Sequence, residues 1–355
     1  MSHAQHEPTL MTLDLPGLAV LAVAFLLSAV AARWLAGRPP GTAALLDHPN
    51  ARSLHQVPVP RSGGLAVLLG LLATLALGWG GGAVPTALWW IAAAALPVAV
   101  VSLFDDLGHV SRRLRLAVHV GAALVLLAGG CAWDSLTLPG LDWPLPAALG
   151  GLLSVLYVVW MVNLYNFMDG MDGFAGGMAL FGFGALAVLG WRAGDPAFAL
   201  AAAAVVAAAA GFLLSNFPPA RIFLGDLGSS TLGLLAAGFS LWGASAQLFP
   251  LWVAWLAFSP FIVDATWTLA RRLARGERVW EAHRSHHYQR LVLAGWGHRT
   301  TVLRAYALMA AVAAGAVAAP GLAPPQQWQL LLAWAIIYAL IHLRVRLAER
   351  QGSPQ

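Results

Sequence analysis

The chain has 355 residues, of which 59% are hydrophobic and 10% charged, and its formal net charge is +5. Because soluble globular proteins usually contain about 25% charged residues, this composition and a mean hydropathy of +0.73 exclude an ordinary water-soluble globule. All 20 basic residues are arginine, which excludes lysine Schiff-base and Walker-type phosphate chemistry. The single cysteine, Cys131, excludes an intrachain disulfide and a thiolate metal cluster.

Long apolar stretches recur along the chain and predict an all-α polytopic membrane protein. A helix of about 20 apolar residues spans a bilayer, and we expect eleven such helices in one membrane domain, residues 1–355, with residues 271–300 as its longest cytoplasmic loop. No internal repeat is visible. The segment before the first span has no Lys or Arg, so we expect a retained span rather than a cleaved signal. The spans are predicted to begin near Pro16, Gly63, Pro85, Leu116, Pro146, Phe174, Ala197, Gly228, Leu251, Thr301 and Gln327.

Arginine lies almost entirely in alternate loops. The opposite set of loops contains Arg192 alone. By the positive-inside rule the arginine-rich loops face the cytoplasm. This orientation places the amino terminus outside and, with eleven spans, the carboxyl terminus inside. All the polar motifs described next then lie at the cytoplasmic face.

The most unusual polar stretch runs from residue 163 to residue 177, between two predicted spans. Its amides and carboxylates stand three residues apart: Asn163, Asn166, Asp169 and Asp172. On an ideal helix each step of three falls about 60° short of a turn, so these four side chains cannot all face one ligand. If the backbone leaves the helix near Gly170 and Gly173, they can converge on one cavity. The alternative is an ordinary polar loop between helices.

Carboxylates mark two further motifs. Asp105 and Asp106 end an apolar run, where adjacent carboxylates are costly unless a cation or a proton accompanies them. Asp226 stands between Gly225 and Gly228 at a predicted helix start. Mg²⁺ is usually held by carboxylate oxygens shared with substrate phosphates, so all three are metal-binding candidates. The alternatives are arginine pairing at a solvated helix end for the Asp pair, and an N-cap role for Asp226.

A proline-rich segment, residues 47–64, leads into the second predicted span. Arg52 and Arg61 carry fixed charges suited to binding anions. We expect Gly63 and Gly64 to expose backbone N–H groups at the helix start, where the dipole favours phosphate. This combination suits a phosphorylated ligand, and the alternative is charge that only sets topology.

Two motifs near the end of the chain are open to more than one interpretation. Asp264, inside the ninth predicted span, is equally consistent with a hydrogen bond to a neighbouring helix and with a role in a site. The segment from His283 to Arg290 contains three histidines. No cysteine accompanies them and Glu281 is the nearest well-placed carboxylate, so contact with phosphate or substrate is favoured over zinc.

Together these motifs resemble the polyprenyl-phosphate N-acetylhexosamine-1-phosphate transferases, of the glycosyltransferase family 4 type. Two histidines usual in the family's last loop correspond here to Tyr288 and Gln289, which leaves His286. The basic residue and the glutamine that usually follow the Asp pair correspond to Arg115 and His119. The loop resembles the O-antigen-initiating branch. The matching pieces follow the family's order: Pro49–His55, Pro60–Gly64, Asp105–Asp106, Asn163–Gly177, Phe223–Ser229 and Arg284–His286.

The resemblance implies attack by undecaprenyl phosphate on the β-phosphate of a UDP-N-acetyl amino sugar, at the cytoplasmic face of a bacterial inner membrane. It implies Mg²⁺, with Mn²⁺ as an alternative, bound by Asp226, Asp105 and Asp106. The implied partners are undecaprenyl phosphate, the UDP-sugar and membrane lipids, with no nucleic acid; a homodimer and a covalent aspartyl intermediate stay open. The implied catalytic residues are Asp105, Asp106, Asp226 and His286, and the implied substrate-binding residues are Arg52, His55, Arg61, Asn163, Asn166, Asp169, Asp172 and Arg284.

A membrane transporter or flippase for a phosphorylated lipid or sugar is the alternative function. Transporters also have intramembrane ionisable residues and interrupted helices, but their polar groups lie near the bilayer midplane and repeats are common. Here the motifs crowd at one face. A purely structural scaffold would leave the motifs unexplained.

Overall fold

The computed structural model describes residues 15–38, 45–47, 49, 54, 57–78, 84–278 and 283–352. Two small antiparallel hairpins, β1 (Leu46–Asp47) with β2 (Val59–Pro60) and β3 (Ser135–Leu138) with β4 (Leu141–Pro144), join a helical bundle. The helices are α1 (Leu15–Ala36), α2 (Gly63–Leu77), α3 (Thr86–Leu107), α4 (Arg112–Ala128), α5 (Ala147–Phe167), α6 (Phe174–Arg192), α7 (Pro196–Asn216), α8 (Gly225–Ser245), α9 (Leu251–Ala257), α10 (Ser259–Ala274), α11 (His287–Leu291), α12 (His298–Ala318) and α13 (Pro324–Gly352).

The prediction of an all-α polytopic membrane protein is confirmed, whereas the count of eleven spans is not. In the described part of the chain, eight helices are long and apolar enough to cross a membrane, and a bent pair would make nine. Ten of the eleven predicted spans coincide with one helix each, but α2 has 15 residues and α4 has 17. Three of the first four residues of α4 are arginine, which shortens its apolar part.

The ninth predicted span is two helices rather than one. α9 and α10 meet at an angle of 83°, with Phe258 between them. Pro260 lies in the first turn of α10, a position where a helix tolerates the missing backbone N–H. The break turns the second half of this span, which carries Asp264, toward a different part of the bundle.

The helix α8 lies at the centre of the bundle. Of its most apolar 18-residue window, 94% is buried. Gly233 permits close packing on α5, since a Cβ there would lie 2.7 Å from the carbonyl oxygen of Met161. The hydroxyls of Thr231 and Ser240 donate to carbonyls one turn back, so α8 satisfies these polar groups internally.

The chain leaves the helical conformation between α5 and α6. α5 ends at Phe167, and Gly173, with φ of +73°, precedes α6. The amide of Gly173 donates to Asn216 Oδ1 at 2.9 Å, and its carbonyl accepts from Tyr306 Oη at 2.6 Å. The break in the helix on which convergence of the four side chains depends is therefore present, between Phe167 and Phe174.

Candidate active site

A polar cavity of about 800 Å³ opens at one end of the bundle, a size typical of small-molecule sites. It lies where α3 and α5 end, where α4, α8 and α12 begin, and beside the segment that precedes α11. Its wall includes most of the predicted site residues: Arg61, Asp105, Asp106, Asn163, Asn166, Asp169, Asp172, Asp226 and His286.

Of the three remaining predicted residues, the structure describes only Arg284. Arg284 is exposed and does not line the cavity, so its role in binding substrate stays a prediction. Arg52 and His55 lie outside the described residues. Their described neighbours Asp47 and Leu54 do line the cavity.

One arginine links two carboxylates at the floor of the cavity. Arg115 Nη1 donates to Asp105 Oδ2 in a short contact and lies 3.5 Å from Asp226 Oδ2. The other oxygen of Asp105 accepts from the backbone N–H of Val110 at 2.9 Å. Asp105 and Asp226, which are 121 positions apart in sequence, therefore direct oxygens to the same cation.

The neighbouring Asp106 holds the start of α8. Its two oxygens accept backbone N–H groups of Asp226 at 3.2 Å and Leu227 at 2.9 Å. Anionic groups at a helix N-terminus are favoured by the unpaired N–H groups and the dipole. Gly225 has φ of +76°, and a Cβ there would lie 2.9 Å from Asp106 Oδ2. The cap of α8 thus comes from α3, and Asp226 itself is not the N-cap.

The expectation that Gly63 and Gly64 expose N–H groups for phosphate is wrong. Their amides donate to the carbonyls of Phe223 at 2.9 Å and Leu224 at 2.7 Å. A Cβ on Gly64 would lie 2.5 Å from the backbone nitrogen of Gly228. These glycines let the start of α2 pack against the start of α8, so their N–H groups are already used.

Arg61 is positioned by the same packing. Its Nη2 donates to the backbone carbonyl of Asp106 at 2.6 Å, and its Nε lies 3.7 Å from Asp106 Oδ1. Arg61 therefore adds a second positive charge beside the carboxylates, and its role in binding phosphate stays a prediction.

The two asparagines contact different parts of the cavity wall. Asn166 Nδ2 donates to Asp226 Oδ1 at 2.9 Å and to Ser229 Oγ at 3.0 Å. Asn163 Nδ2 donates to the carbonyl of Val159 at 2.7 Å and lies 3.5 Å from His119 Nδ1. Asn166 thus orients the Asp226 carboxylate.

The two aspartates between α5 and α6 differ in charge environment. Burial, followed by the charges of Asp226, Asp106 and Asp47, raises the pKa of Asp169 well above its usual value. Burial also opposes ionisation of Asp172, but hydrogen bonds from His298 and from the amide of Ala220 outweigh it and lower its pKa. Ionisation is therefore favoured at Asp172 and opposed at Asp169.

The last wall of the cavity comes from His283, His286, Tyr288 and Gln289. His286 is 2% exposed, and its ring stacks on Tyr288 with 5.9 Å between centroids. Gln289 Oε1 accepts from the backbone N–H of His286 at 3.3 Å. Burial, followed by the charges of His286 and Arg272, lowers the pKa of His283 to about 4.

Sequence reasoning missed several residues of the wall, of which His298 has the clearest polar contact, and the role of Arg115. His298, the first residue of α12, lines the cavity with Nδ1 3.1 Å from Asp172 Oδ1; no motif pointed to it. Arg115 was considered only as one of the arginines that could pair with the Asp pair and as the counterpart of a family position. Its spacing of ten residues after Asp105 gave no sign that it bridges to α8.

Asp105 and Asp226 fit a divalent metal that also binds substrate phosphates. In the described ranges, no group of three or more His, Cys, Asp or Glu side chains is arranged to hold a metal ion alone. Mg²⁺, however, is often bound through one or two carboxylates plus phosphates. Asp105 Oδ2 and Asp226 Oδ2 both face the Arg115 guanidinium, which marks a cation position between them. Both Asp106 oxygens instead accept backbone N–H groups of the first turn of α8.

Residues 88–244 match the model of the family described as glycosyl transferase family 4. The chain is 34% identical over 323 residues to a phospho-N-acetylmuramoyl-pentapeptide-transferase of Synechococcus sp. (strain JA-3-3Ab), covering 83% of this chain and 88% of that relative. It is 28% identical over 266 residues to a probable undecaprenyl-phosphate N-acetylglucosaminyl 1-phosphate transferase of Bacillus subtilis (strain 168), and the match covers 74% of this chain and 73% of that relative. It is 26% identical over 280 residues to the undecaprenyl-phosphate alpha-N-acetylglucosaminyl 1-phosphate transferase of Escherichia coli (strain K12), and the match covers 76% of this chain and 75% of that relative.

Proposed function

Because the chain belongs to the polyprenyl-phosphate N-acetylhexosamine-1-phosphate transferase family, we propose that it transfers an N-acetylated amino-sugar 1-phosphate from a UDP-sugar to undecaprenyl phosphate. The products are undecaprenyl-diphospho-sugar and UMP. The observation that carries the proposal is the convergence of carboxylates, amides and fixed positive charges on one cavity at one end of the bundle. A transporter would need such groups near the midplane.

In this reaction an oxygen of the lipid phosphate forms a bond to the β-phosphorus of the UDP-sugar. The bond between the β-phosphorus and the bridging oxygen breaks, and UMP leaves with its electron pair. Phosphoryl transfer needs positioning and charge neutralisation more than covalent work by the protein. A lipid phosphate with a second pKa of about 6 is largely ionised at neutral pH, so a general base is scarcely needed.

We assign neutralisation of the phosphate charges to the carboxylates at the floor of the cavity, Asp105 and Asp226, and to the arginines beside them. Mg²⁺, held by Asp105 and Asp226, would neutralise diphosphate oxygens when bound. Arg61 and Arg115 supply fixed positive charges beside it, and Asp106 keeps the first turn of α8 in place. His286 contributes a ring nitrogen to a phosphate oxygen.

The opposite wall is assigned to the nucleotide and sugar. Asn163, Asn166, Asp169 and Asp172 line it with amide and carboxylate groups. The carboxylates can accept hydrogen bonds from sugar hydroxyl groups, and the asparagine amides can both donate to and accept from hydroxyl and acetamido groups. The presence of Tyr288 and Gln289 in the last loop leads us to propose an O-antigen-initiating role in the bacterial inner membrane.

The arginines near the cavity support a cytoplasmic site. Arg61, Arg112 and Arg115 line it, and the positive-inside rule places such residues in the cytoplasm. This orientation gives the cavity access to soluble nucleotide sugars.

The test is UMP release by purified protein with undecaprenyl phosphate and a panel of UDP-N-acetyl sugars. We expect release with at least one sugar when Mg²⁺ is present, loss of release after chelation, and recovery with Mg²⁺ or Mn²⁺. Reactions without the lipid phosphate are the control. If no sugar in the panel yields UMP above that control, the proposed function is wrong.

A further inference from the structure

The segment that carries His286 is held by a carboxylate that does not line the cavity. Asp264 on α10 is 7% exposed, and its Oδ1 accepts from the backbone N–H of His287 and from His287 Nδ1, both at 2.9 Å. Thr268 Oγ1 lies 3.2 Å from the same oxygen. His286 Nδ1 is 3.6 Å away from it. One buried carboxylate therefore fixes the start of α11 and faces the ring of His286.

A second histidine extends this contact to α13. His287 Nε2 lies 2.9 Å from Nδ1 of His342. His342 Nε2 is buried and has no hydrogen-bond partner among the described residues. Since the Asp264 carboxylate accepts from His287 Nδ1, that nitrogen carries a proton. The remaining question is which ring donates in the contact between the two histidines.

The partners of His342 decide the direction of that hydrogen bond. If His287 donated, a neutral His342 would carry its proton on Nε2, as a buried N–H without an acceptor. Buried unpaired N–H groups are rarer than under-used acceptors. The favoured arrangement has Nδ1–H of His342 donating to His287, whose own Nδ1–H donates to Asp264. The three residues then form one directed chain of hydrogen bonds.

This chain of hydrogen bonds starts at His342 on α13, a helix that has few other contacts with the protein. Only 6% of the most apolar window of α13 is buried. Its polar contacts to the rest of the protein recur on one face, from Tyr338 through His342 to Glu349, which pairs with Arg290 of α11. A helix that needed only to sit in lipid would not require a buried histidine there.

We propose that His342, His287 and Asp264 act as positioning residues for His286. Asp264 holds the start of α11 and faces His286 Nδ1. The other ring nitrogen of His286, Nε2, is then the one available to a ligand in the cavity. His286 contacts substrate phosphate in the function proposed above, and the present inference rests on that function. None of the three positioning residues lines the cavity.

The proposal is tested with a pair of variants of nearly equal shape, His342→Leu and His342→Asn. Leucine removes the donor, whereas the asparagine amide can still donate to His287. We expect His342→Leu to lower kcat about tenfold, a typical cost of losing a residue that orients an active-site ligand, with KM for the UDP-sugar within about twofold. His342→Asn should recover most of the loss.

Tyr338→Phe is the matched control. It removes another hydrogen bond between α13 and α10, the one between Tyr338 Oη and Ser259 Oγ at 2.6 Å. The hydrogen bonds that join His342, His287 and Asp264 are left in place. We expect its kcat to equal that of wild type. If Tyr338→Phe lowers kcat as much as His342→Leu does, or if the leucine and asparagine variants lower kcat equally, the effect reflects packing of α13 against the rest of the protein. Either result overturns the proposal.

Ring-nitrogen NMR of ¹⁵N-histidine-labelled protein provides a readout that needs neither turnover nor a folded variant. In wild type we expect protonated Nδ1 on both His287 and His342; a bare Nδ1 on either overturns the chain. In the variants, His342→Leu should shift the His286 ring resonances and Tyr338→Phe should not. Wild-type protein with these signatures but no UMP release would refute the proposed function alone.

Discussion

The helices α8 and α13 are both long enough to cross a membrane, yet their surroundings are opposite. α8 is 94% buried over its most apolar window, whereas α13 is 6% buried. Over these windows α8 has the lower mean hydropathy, and α8 is rich in glycine and serine. Large apolar side chains such as Leu332 and Leu340 stay exposed on α13. In lipid, small residues permit close helix packing and large apolar ones need no protein partner.

The two helices also differ in what they contribute to the cavity. α8 supplies Asp226 directly to the cavity, and its position depends on Asp106 and Asn166. α13 supplies no residue to the cavity. Substitutions on α8 should therefore affect chemistry or folding strongly, and those on the exposed face of α13 should affect neither.

The largest effect is expected at the first turn of α8. Asp226→Asn removes a charge from the floor of the cavity, and we expect UMP release to fall about 10³-fold, as when a transition-state electrostatic contact is lost. The unfolding temperature in detergent should stay that of wild type. Asp142→Asn, exposed on the hairpin β3–β4, is the control and should keep full turnover. Near-normal turnover of Asp226→Asn would contradict the assignment.

The adjacent aspartates should separate into two roles. Asp105→Asn is expected to lower turnover while leaving the unfolding temperature unchanged. Asp106→Asn leaves one N–H of α8 without its acceptor, at a cost of about 1–3 kcal/mol, so both turnover and unfolding temperature should fall. Wild-type unfolding temperature together with lost turnover in Asp106→Asn would show that Asp106 acts on metal or substrate instead.

Close packing of α8 predicts a loss of stability that does not involve the cavity. In Gly233→Ala the new methyl group would meet the carbonyl oxygen of Met161 at 2.7 Å, and overpacking of this kind costs about 1–3 kcal/mol. The unfolding temperature of the purified protein should fall. Gly184→Ala on α6, where no heavy atom lies within 4 Å of the new Cβ, should not lower it. Equal behaviour of the two variants would argue against the packing described for α8.

The smallest effect is expected on α13. Leu340 is 58% exposed, so Leu340→Ala should change the free energy of unfolding by less than about 0.5 kcal/mol and leave turnover unchanged. Size-exclusion chromatography with light scattering would measure the oligomeric state in parallel. A change of oligomeric state in this variant would identify the exposed face of α13 as a contact between subunits rather than with lipid.

Local spacing indicated what the segment between α5 and α6 must do if it forms one wall of a site. On a straight helix the three-residue steps from Asn163 to Asp172 could not all face one ligand. In the structure α5 ends at Phe167, Gly173 with positive φ precedes α6, and all four side chains line the cavity. This condition could be stated from the sequence because it depends only on helix geometry and on the conformational range of glycine.

Contacts between distant segments could not be predicted in the same way. Asp106 caps a helix that begins 119 residues later, at Gly225, and Gly63 and Gly64 give their N–H groups to the same region. The sequence shows these residues as a carboxylate pair and a glycine pair, each suited to a ligand. Only the packing of α2, α3 and α8 shows that their polar groups are already paired within the protein.

The central claim, that this cavity transfers a sugar phosphate to a lipid phosphate, is tested most directly by following the β-phosphorus. A UDP-N-acetyl sugar labelled with ³²P at the β position is incubated with purified protein, Mg²⁺ and undecaprenyl phosphate. We expect the label to enter the organic-phase lipid in a 1:1 ratio with released UMP, and to stay in the aqueous phase with Asp226→Asn. Label that remains aqueous with wild type for every sugar in the panel, or UMP release without labelled lipid, would contradict the account.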